Sequence, residues 1–477
     1  MSERPGLQQL SERPDPRRRS PRRPGARRAG ARPRGPRRRP LLGRTALALA
    51  AFLALAALAE LVEVPGLSYS LMLGTWGLGI LVALLLLTLL ALAAALRSHR
   101  PDSAHHADPA VRAGSAHRAG RVRMAPGTRL RAATAALLAL ATAVTGGVGT
   151  AQLSYVTAQG TDVDLLALTG IGQAGSAPDL EPLVLDDAET GQLLRAGVWY
   201  PRSADGTPLT PDQVRAAHPE GVPVVVLVHG GGWSNGNRLN PMTRGQADWL
   251  ARQGYLAVAV DYPLSTTAQP TWQLAESRTA CGLAWVAAHA ADYGGDAQRL
   301  ALVGDSAGGH LALNLTYRQA LGTLPDYPAA CGGRVPGIDA VLTEYPIADP
   351  VGFHDNPDLV MGPFVSERAQ RYTGGTPAEV PERYEAIDPV RLLRQVAGAG
   401  LAAGLPPTLV VAGERDHVVP VAGALALDAV LTEVGAAHET HVVPCTDHVF
   451  DLNPGSAVSQ MWRHRALAVL REAGLGV

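Results

Sequence analysis

Hydrophobic and polar positions divide the chain into two regimes. Residues 67–96 form an uninterrupted Leu/Ala-rich run with no charged residue. It is longer than the roughly 20 residues needed to cross a bilayer core, and it predicts a transmembrane helix. A shorter apolar stretch precedes it, extending over residues 41–62 if Arg44 and Glu60 are taken as its ends, and a third uncharged stretch, diluted by Thr and Gly, covers residues 132–152. The expectation is three spans. Residues 153–178, rich in Gly, Ala and Thr, read as a stalk.

From residue 179 to 477 the pattern is different. Short apolar runs alternate with helical periodicity, which predicts an α/β fold: a mostly parallel sheet with helices on both faces. Residues 222–228 (VPVVVLV) read as a fully buried strand, followed by strands at 255–260, 299–303, 340–343, 408–412 and 440–443. Helices are expected at 245–253, 272–293, 307–321 and 421–435. Residues 183–200 suit an antiparallel hairpin turning at Glu189, Thr190 and Gly191.

Charge gives the two regimes a direction. The formal net charge is zero, yet residues 1–44 hold 15 Arg against 3 acidic residues, residues 97–131 hold 8 Arg against Asp102 and Asp108, and residues 132–477 hold 19 Arg against 35 acids. The first 40 residues, dominated by Arg, Pro, Gly and Ser, cannot bury a core and are expected to be disordered. Both basic blocks fall on the cytoplasmic side if the turn between the first two spans is outside. The resulting expectation is a multi-pass protein of the cell membrane with the large domain on the outer face. The alternative is a signal peptide ending near Ala57 to Ala59, whose removal would leave the domain on the same side. The acidic balance of the large domain argues against a nucleic-acid partner.

Candidate chemistry lies at the strand ends. Gly304-Asp305-Ser306-Ala307-Gly308 follows a strand and opens a helix, the setting of a G-x-S-x-G turn that projects a serine hydroxyl. His229-Gly230-Gly231-Gly232-Trp233 follows the strongest strand, where the N–H groups of Gly231 and Gly232, together with that of Ala307, can face a developing oxyanion. A triad in the order serine, acid, histidine then requires partners downstream. Asp416 lies just past the strand at 408–412, with Glu414 as second choice, and His448 follows the last strand. His229 reads as ordering the glycine loop, His417 as a neighbour of the acid, and His310 as a packing or capping residue; His289 sits on a helix away from a strand end, and His438 and His441 flank the last strand. Neither a nucleotide-binding glycine pattern nor metal-ligand spacing is present, so no metal or organic cofactor is expected.

Taken together, HGGGW, GDSAG, the Asp of ERDHVVP and the His of TDHVF resemble the α/β-hydrolase fold, and within it the hormone-sensitive-lipase-like esterases and the bacterial feruloyl-esterase-like group. The resemblance covers roughly residues 180 to 477. It implies a Ser306–Asp416–His448 triad, an oxyanion hole of Gly231, Gly232 and Ala307 supported by His229, Gly230, Trp233 and Asp305, and a lid near residues 352–394. The implied activity is that of a serine carboxylesterase or lipase acting on a small-molecule or lipid ester; the membrane region lies outside the resemblance, and the expected spans add the anchor. The competing readings are an acyltransferase or deacetylase working on a lipid or cell-wall glycan with the same triad, a peptidase of the same fold, and a catalytically inert interaction domain. On the outer face a disulfide can persist; Cys281 and Cys331 are the expected pair, leaving Cys445 free. Oligomeric state is left open.

Overall fold

The computed structural model describes residues 39–62, 70–97 and 126–477; the remainder of the expected disordered tail and of the basic loop lies outside the described residues. Three helices come first: α1 (Arg39–Val62), α2 (Ser70–Arg97) and α3 (Pro126–Ala158). They bury Ala50, Ala57, Leu84, Leu138 and Ala141 against one another, and Thr88 and Thr142 meet hydroxyl to hydroxyl at 3.2 Å. Small residues at these positions let the backbones approach closely. Among the described residues, two helical stretches are long and apolar enough to cross a membrane, Trp76–Arg97 and Gly127–Ala158, whereas the apolar part of α1 is the shorter Leu42–Leu58. By that criterion two of the three expected spans qualify. Helix α2 kinks at Trp76, which has non-helical φ/ψ of −126° and 19°.

The remaining chain builds an eight-stranded sheet. Strands β1 (Leu183–Asp187), β2 (Gln192–Trp199), β3 (Val222–Val228), β4 (Leu256–Val260), β5 (Gly295–Asp305), β6 (Ala340–Glu344), β7 (Thr408–Gly413) and β8 (His438–Val443) lie in the order β1-β2-β4-β3-β5-β6-β7-β8. The first two pair antiparallel, β2 runs antiparallel to β4, and every later pairing is parallel. Alternation along a strand sends successive side chains to opposite faces. Val224, Val226 and Val228 accordingly belong to one buried cluster, and Val225 and Leu227 to the other.

Ten helices complete the domain: α4 (Pro211–Ala217), α5 (Pro241–Arg252), α6 (Trp272–His289), α7 (Ala307–Leu321), α8 (Pro350–His354), α9 (Met361–Thr373), α10 (Pro381–Ala386), α11 (Pro389–Gly398), α12 (Ala422–Glu433) and α13 (Ala457–Glu472). Helices α6, α7, α11 and α12 pack on the first face, α5 and α13 on the second. The segment expected as a lid is the run from α8 to α11. Helix α13 is absent from the predicted elements, although Val458, Met461, Trp462, Ala466, Val469 and Leu470 are all buried and recur at helical spacing.

The stretch expected as a stalk is no free spacer. Its first residues continue α3 to Ala158, and Val156 enters the cluster of the second sheet face. The rest is pinned along the domain: Gln460 accepts from Asp164 N–H at 2.7 Å, and Ser176 donates to Asp248 at 2.5 Å. Gly175 passes so close to the Arg244 carbonyl that a Cβ would collide with it. Small residues here serve close approach rather than looseness. Cys281 in α6 and Cys331 are disulfide-bonded, with Cα atoms 5.3 Å apart, and Cys445 is not in a disulfide.

Candidate active site

Ser306 stands between β5 and α7 with φ 52° and ψ −116°. A side chain at positive φ is costly, about 1–3 kcal/mol, and survives where the surroundings leave no alternative. Here they leave none, since a Cβ on Gly308 would run into the Val228 carbonyl. The strand, the turn and the helix therefore close on one another only with glycine at that position. Ser306 N–H donates to the Glu344 carbonyl at 2.9 Å, which ties the turn to β6.

The sheet brings the downstream residues to the same edge. His448 Nε2 lies 3.1 Å from Ser306 Oγ, and its Nδ1 lies 2.7 Å from Asp416 Oδ2. The other oxygen of Asp416 accepts the N–H groups of Val418 at 2.9 Å and Val419 at 2.7 Å. These bonds fix the carboxylate, which in turn selects the imidazole tautomer with hydrogen on Nδ1 and a lone pair facing serine. Glu414 points elsewhere, accepting the Cys445 N–H at 3.0 Å. Asp447 clasps the two loops together by accepting the backbone N–H groups of both His417 and His448, at 2.9 and 2.7 Å. Burial pushes the His448 pKa down, but the adjoining Asp416 carboxylate, with Asp447 and Asp305, more than reverses this and holds it above the ordinary value.

The glycine loop after β3 completes the arrangement. Gly231 and Gly232 have φ of 125° and 57°, and among the described residues their N–H groups and that of Ala307 meet no acceptor. Trp233 seals the loop from behind: its indole N–H reaches His310 Nδ1 at 3.3 Å, and its ring stacks on Tyr372 of α9. His310 Nε2 in turn meets the Ile387 carbonyl at 2.8 Å. The ring of His229 stacks on Tyr262, centroids 4.3 Å apart, and Tyr262 donates to the His229 carbonyl at 2.9 Å. Burial pushes the pKa of both histidines down, that of His310 to about 3, so both are neutral struts.

Several contributors escape a reading of the sequence. Arg368 of α9 donates to the Gly231 carbonyl at 2.7 Å, so α9 grips the glycine loop. The ring of Tyr345 lies 4.2 Å from that of His448, and its hydroxyl donates to Asp451. Beneath them three carboxyl groups share one buried region. Burial and the proximity of Asp451 push Asp305 up to about 7, burial pushes Asp451 up to about 6, and burial raises Glu344 well above the usual range. Asp305 is the supporting residue expected from GDSAG, and Asp447 lies within TDHVF; Arg368, Tyr345 and Asp451 carry no local signal. Among the described residues no group of three or more His, Cys, Asp or Glu is placed to hold a metal ion.

A mostly parallel sheet with a strained serine at the turn after β5, and an acid and an imidazole after β7 and β8, defines an α/β-hydrolase. Residues 213–431 match the family model described as BD-FAE. The chain is 30% identical to the esterase LipQ of Mycobacterium tuberculosis over 238 residues, 48% of this chain and 51% of that protein. It is 29% identical to the probable carboxylic ester hydrolase LipM of the same organism over 349 residues, 64% of this chain and 74% of that one. The chain thus spans about half the length of the first relative. A solved esterase from Thermogutta terrifontis aligns with 21% identity and a TM-score of 0.46 over 64% of this chain and 95% of that one. Within the α/β-hydrolases, the domain resembles the carboxylesterases.

Proposed function

We propose that the protein is a membrane-anchored serine carboxylesterase, with Ser306 as nucleophile, His448 as base and Asp416 as orienting acid. The observation that carries this reading is the unbroken contact from Asp416 through His448 to Ser306, next to three backbone N–H groups that meet no acceptor among the described residues. His448 Nε2 takes the Ser306 proton as Oγ attacks the ester carbonyl. The oxyanion settles against Gly231, Gly232 and Ala307, each such donor being worth about 3 kcal/mol. His448 then returns the proton to the departing alcohol, and water repeats the sequence on the acyl-enzyme.

Anchoring is supported by two features of the helices. Leu85, Leu86, Leu89 and Leu90 of α2 are exposed, an apolar face that bilayer lipid would cover. Arg44, Arg97, Arg129 and Arg131 sit at the helix ends remote from the hydrolase, where Arg131 reaches the Ala94 carbonyl at 3.4 Å. The positive-inside rule then places the catalytic domain on the outer face.

The test uses the full chain purified in detergent with p-nitrophenyl acyl esters of graded length. Hydrolysis is expected, and Ser306→Ala is expected to abolish it while leaving circular dichroism unchanged; undiminished turnover in that variant would sink the assignment. A periplasmic-active reporter fused after residue 160 checks the orientation.

A further inference from the structure

One support of the His448 loop comes from outside the sheet and its helices. Gln152, in the last turns of α3, is 7% exposed. Its Nε2 donates to the Cys445 carbonyl at 2.8 Å and to Thr446 Oγ1 at 3.1 Å. Both acceptors lie just ahead of Asp447 and His448 in the chain. Thr446 is itself a crossing point, for its carbonyl accepts the Arg415 N–H at 3.0 Å, and Arg415 adjoins Asp416. A single side chain from α3 therefore touches the segment that orients both the imidazole and its carboxylate.

That segment is one that needs holding. Cys445 and Val449, on either side of His448, have φ of 51° and 50°. For a β-branched valine in particular this is a disfavoured conformation, kept only where surrounding contacts over-determine it. Val156, one helical turn beyond Gln152, is fully buried in the cluster that contains Val443 and Phe450, residues at the two ends of the loop. Helix α3 thus supplies a polar contact at one strained residue and an apolar side chain to the cluster in which both ends of the loop are buried.

We propose that Gln152 is a positioning residue for the reaction: α3 fixes the conformation of the 445–449 loop and, through it, the place of His448 between Ser306 and Asp416. The inference rests on the esterase reading above. Its physical basis is that proton transfer from serine is sensitive to sub-ångström placement of the base, whereas substrate binding is not, so a slack loop lowers kcat more than it raises KM.

The experiment measures kcat and KM for p-nitrophenyl butyrate with the full chain in lipid nanodiscs. Gln152→Met keeps the length and apolar bulk of the side chain but removes the donor; kcat is expected to fall on the order of tenfold, with KM changed less than about twofold. Thr446→Val removes part of the same contact from the loop side and is expected to lower kcat in the same way. Because the two residues act through one contact, the double variant should fall less than the product of the single effects. Unchanged kcat in Gln152→Met, or fully independent effects in the double variant, would overturn the proposal. If Gln152→Met does not fold, Thr446→Val decides, and unchanged kcat there overturns it. Ser306→Ala runs alongside: activity surviving in that variant would reject the esterase reading itself, whatever Gln152 does.

Discussion

The indole of Trp233 lies flat against the phenol ring of Tyr372, with centroids 4.2 Å apart and planes 6° apart. Trp233 belongs to the glycine loop and Tyr372 to α9, so the stack fastens α9 to the backbone that would receive an oxyanion. Phe353 meets the same indole edge-on at 5.6 Å. Tyr372→Ala is expected to cost about 3 kcal/mol, as large aromatic truncations in cores do, and to lower kcat at temperatures well below unfolding. Tyr372→Phe keeps the stack and loses only the contact of the hydroxyl with the Trp272 carbonyl, so it should stay within about 1 kcal/mol of the parent. Chemical denaturation paired with ester kinetics checks both variants.

Activity should fall in acid with a midpoint above the ordinary histidine value. His448 must be neutral to accept the serine proton, and its pKa is held above 6.5 because nearby carboxylates outweigh the effect of burial. As pH drops through that raised pKa, the neutral fraction and kcat/KM drop with it. Asp416→Asn removes the charge in direct contact, so the acid limb should move to lower pH while kcat falls about 10³- to 10⁴-fold. An acid limb that does not move in Asp416→Asn would exclude Asp416 as the partner of the base.

Stability should run the other way. Asp305, held up to about 7, Glu344, held well above its usual range, and His448 are all raised in the folded chain. Each binds more proton folded than unfolded, so the stability it contributes is lost as pH rises through its folded pKa. His229 and His310 act oppositely, but only below their unfolded value near 6.5, since burial keeps them neutral when folded. Between pH 6.5 and 8 the balance is therefore one-sided, and the thermal midpoint is expected to be lower at pH 8 than at pH 6.5. Calorimetry at the two pH values measures it; a higher midpoint at pH 8 would contradict these shifts.

The Cys281–Cys331 bond closes a separation of 50 residues. Constraining a loop of that size in the unfolded chain is worth about 2–4 kcal/mol. Reductant, or Cys281→Ser, should lower the thermal midpoint accordingly and leave the ester kinetics near those of the parent, because neither cysteine touches the triad. Mass spectrometry of the unreduced protein should find Cys445 as the alkylatable thiol; two alkylatable thiols at Cys281 and Cys331 would reject the bond.

Much of the sheet could be read from local pattern. Residues 222–228 are apolar at every position, and all seven are buried in β3. The glycines around Ser306 announce a tight turn because nothing larger fits there. Asp416 and His448 could be named from strand ends, and the structure brings them within 2.7 Å of each other. Arg368, Tyr345 and Asp451 are different, since their importance depends on the register in which separate elements pack, which no short window encodes. Gln152 is the clearest case. In the sequence it is only the last residue of an uncharged stretch, while its partners lie 293 and 294 residues further on. The stalk was misread for a related reason: small residues mean freedom in an isolated chain and close contact in a packed one.

The docking of α3 sets limits on how this protein can be dismantled. Its 33 residues amount to about 50 Å of helix, well beyond the roughly 30 Å of a bilayer core. The excess is the stretch that carries Gln152 and Val156 into the hydrolase. Helix α2 also packs against Ala167–Thr169 and Phe450–Leu452, so only an exchange of the helices that keeps both docked ends should preserve turnover. Starting the chain at residue 175 should not, because it removes Val156 from the buried cluster it shares with Val443 and Phe450 and leaves that side of the core open to water. In this molecule the boundary between the N-terminal helices and the hydrolase domain falls inside a helix, and a shortened version would have to carry the last turns of α3 with it.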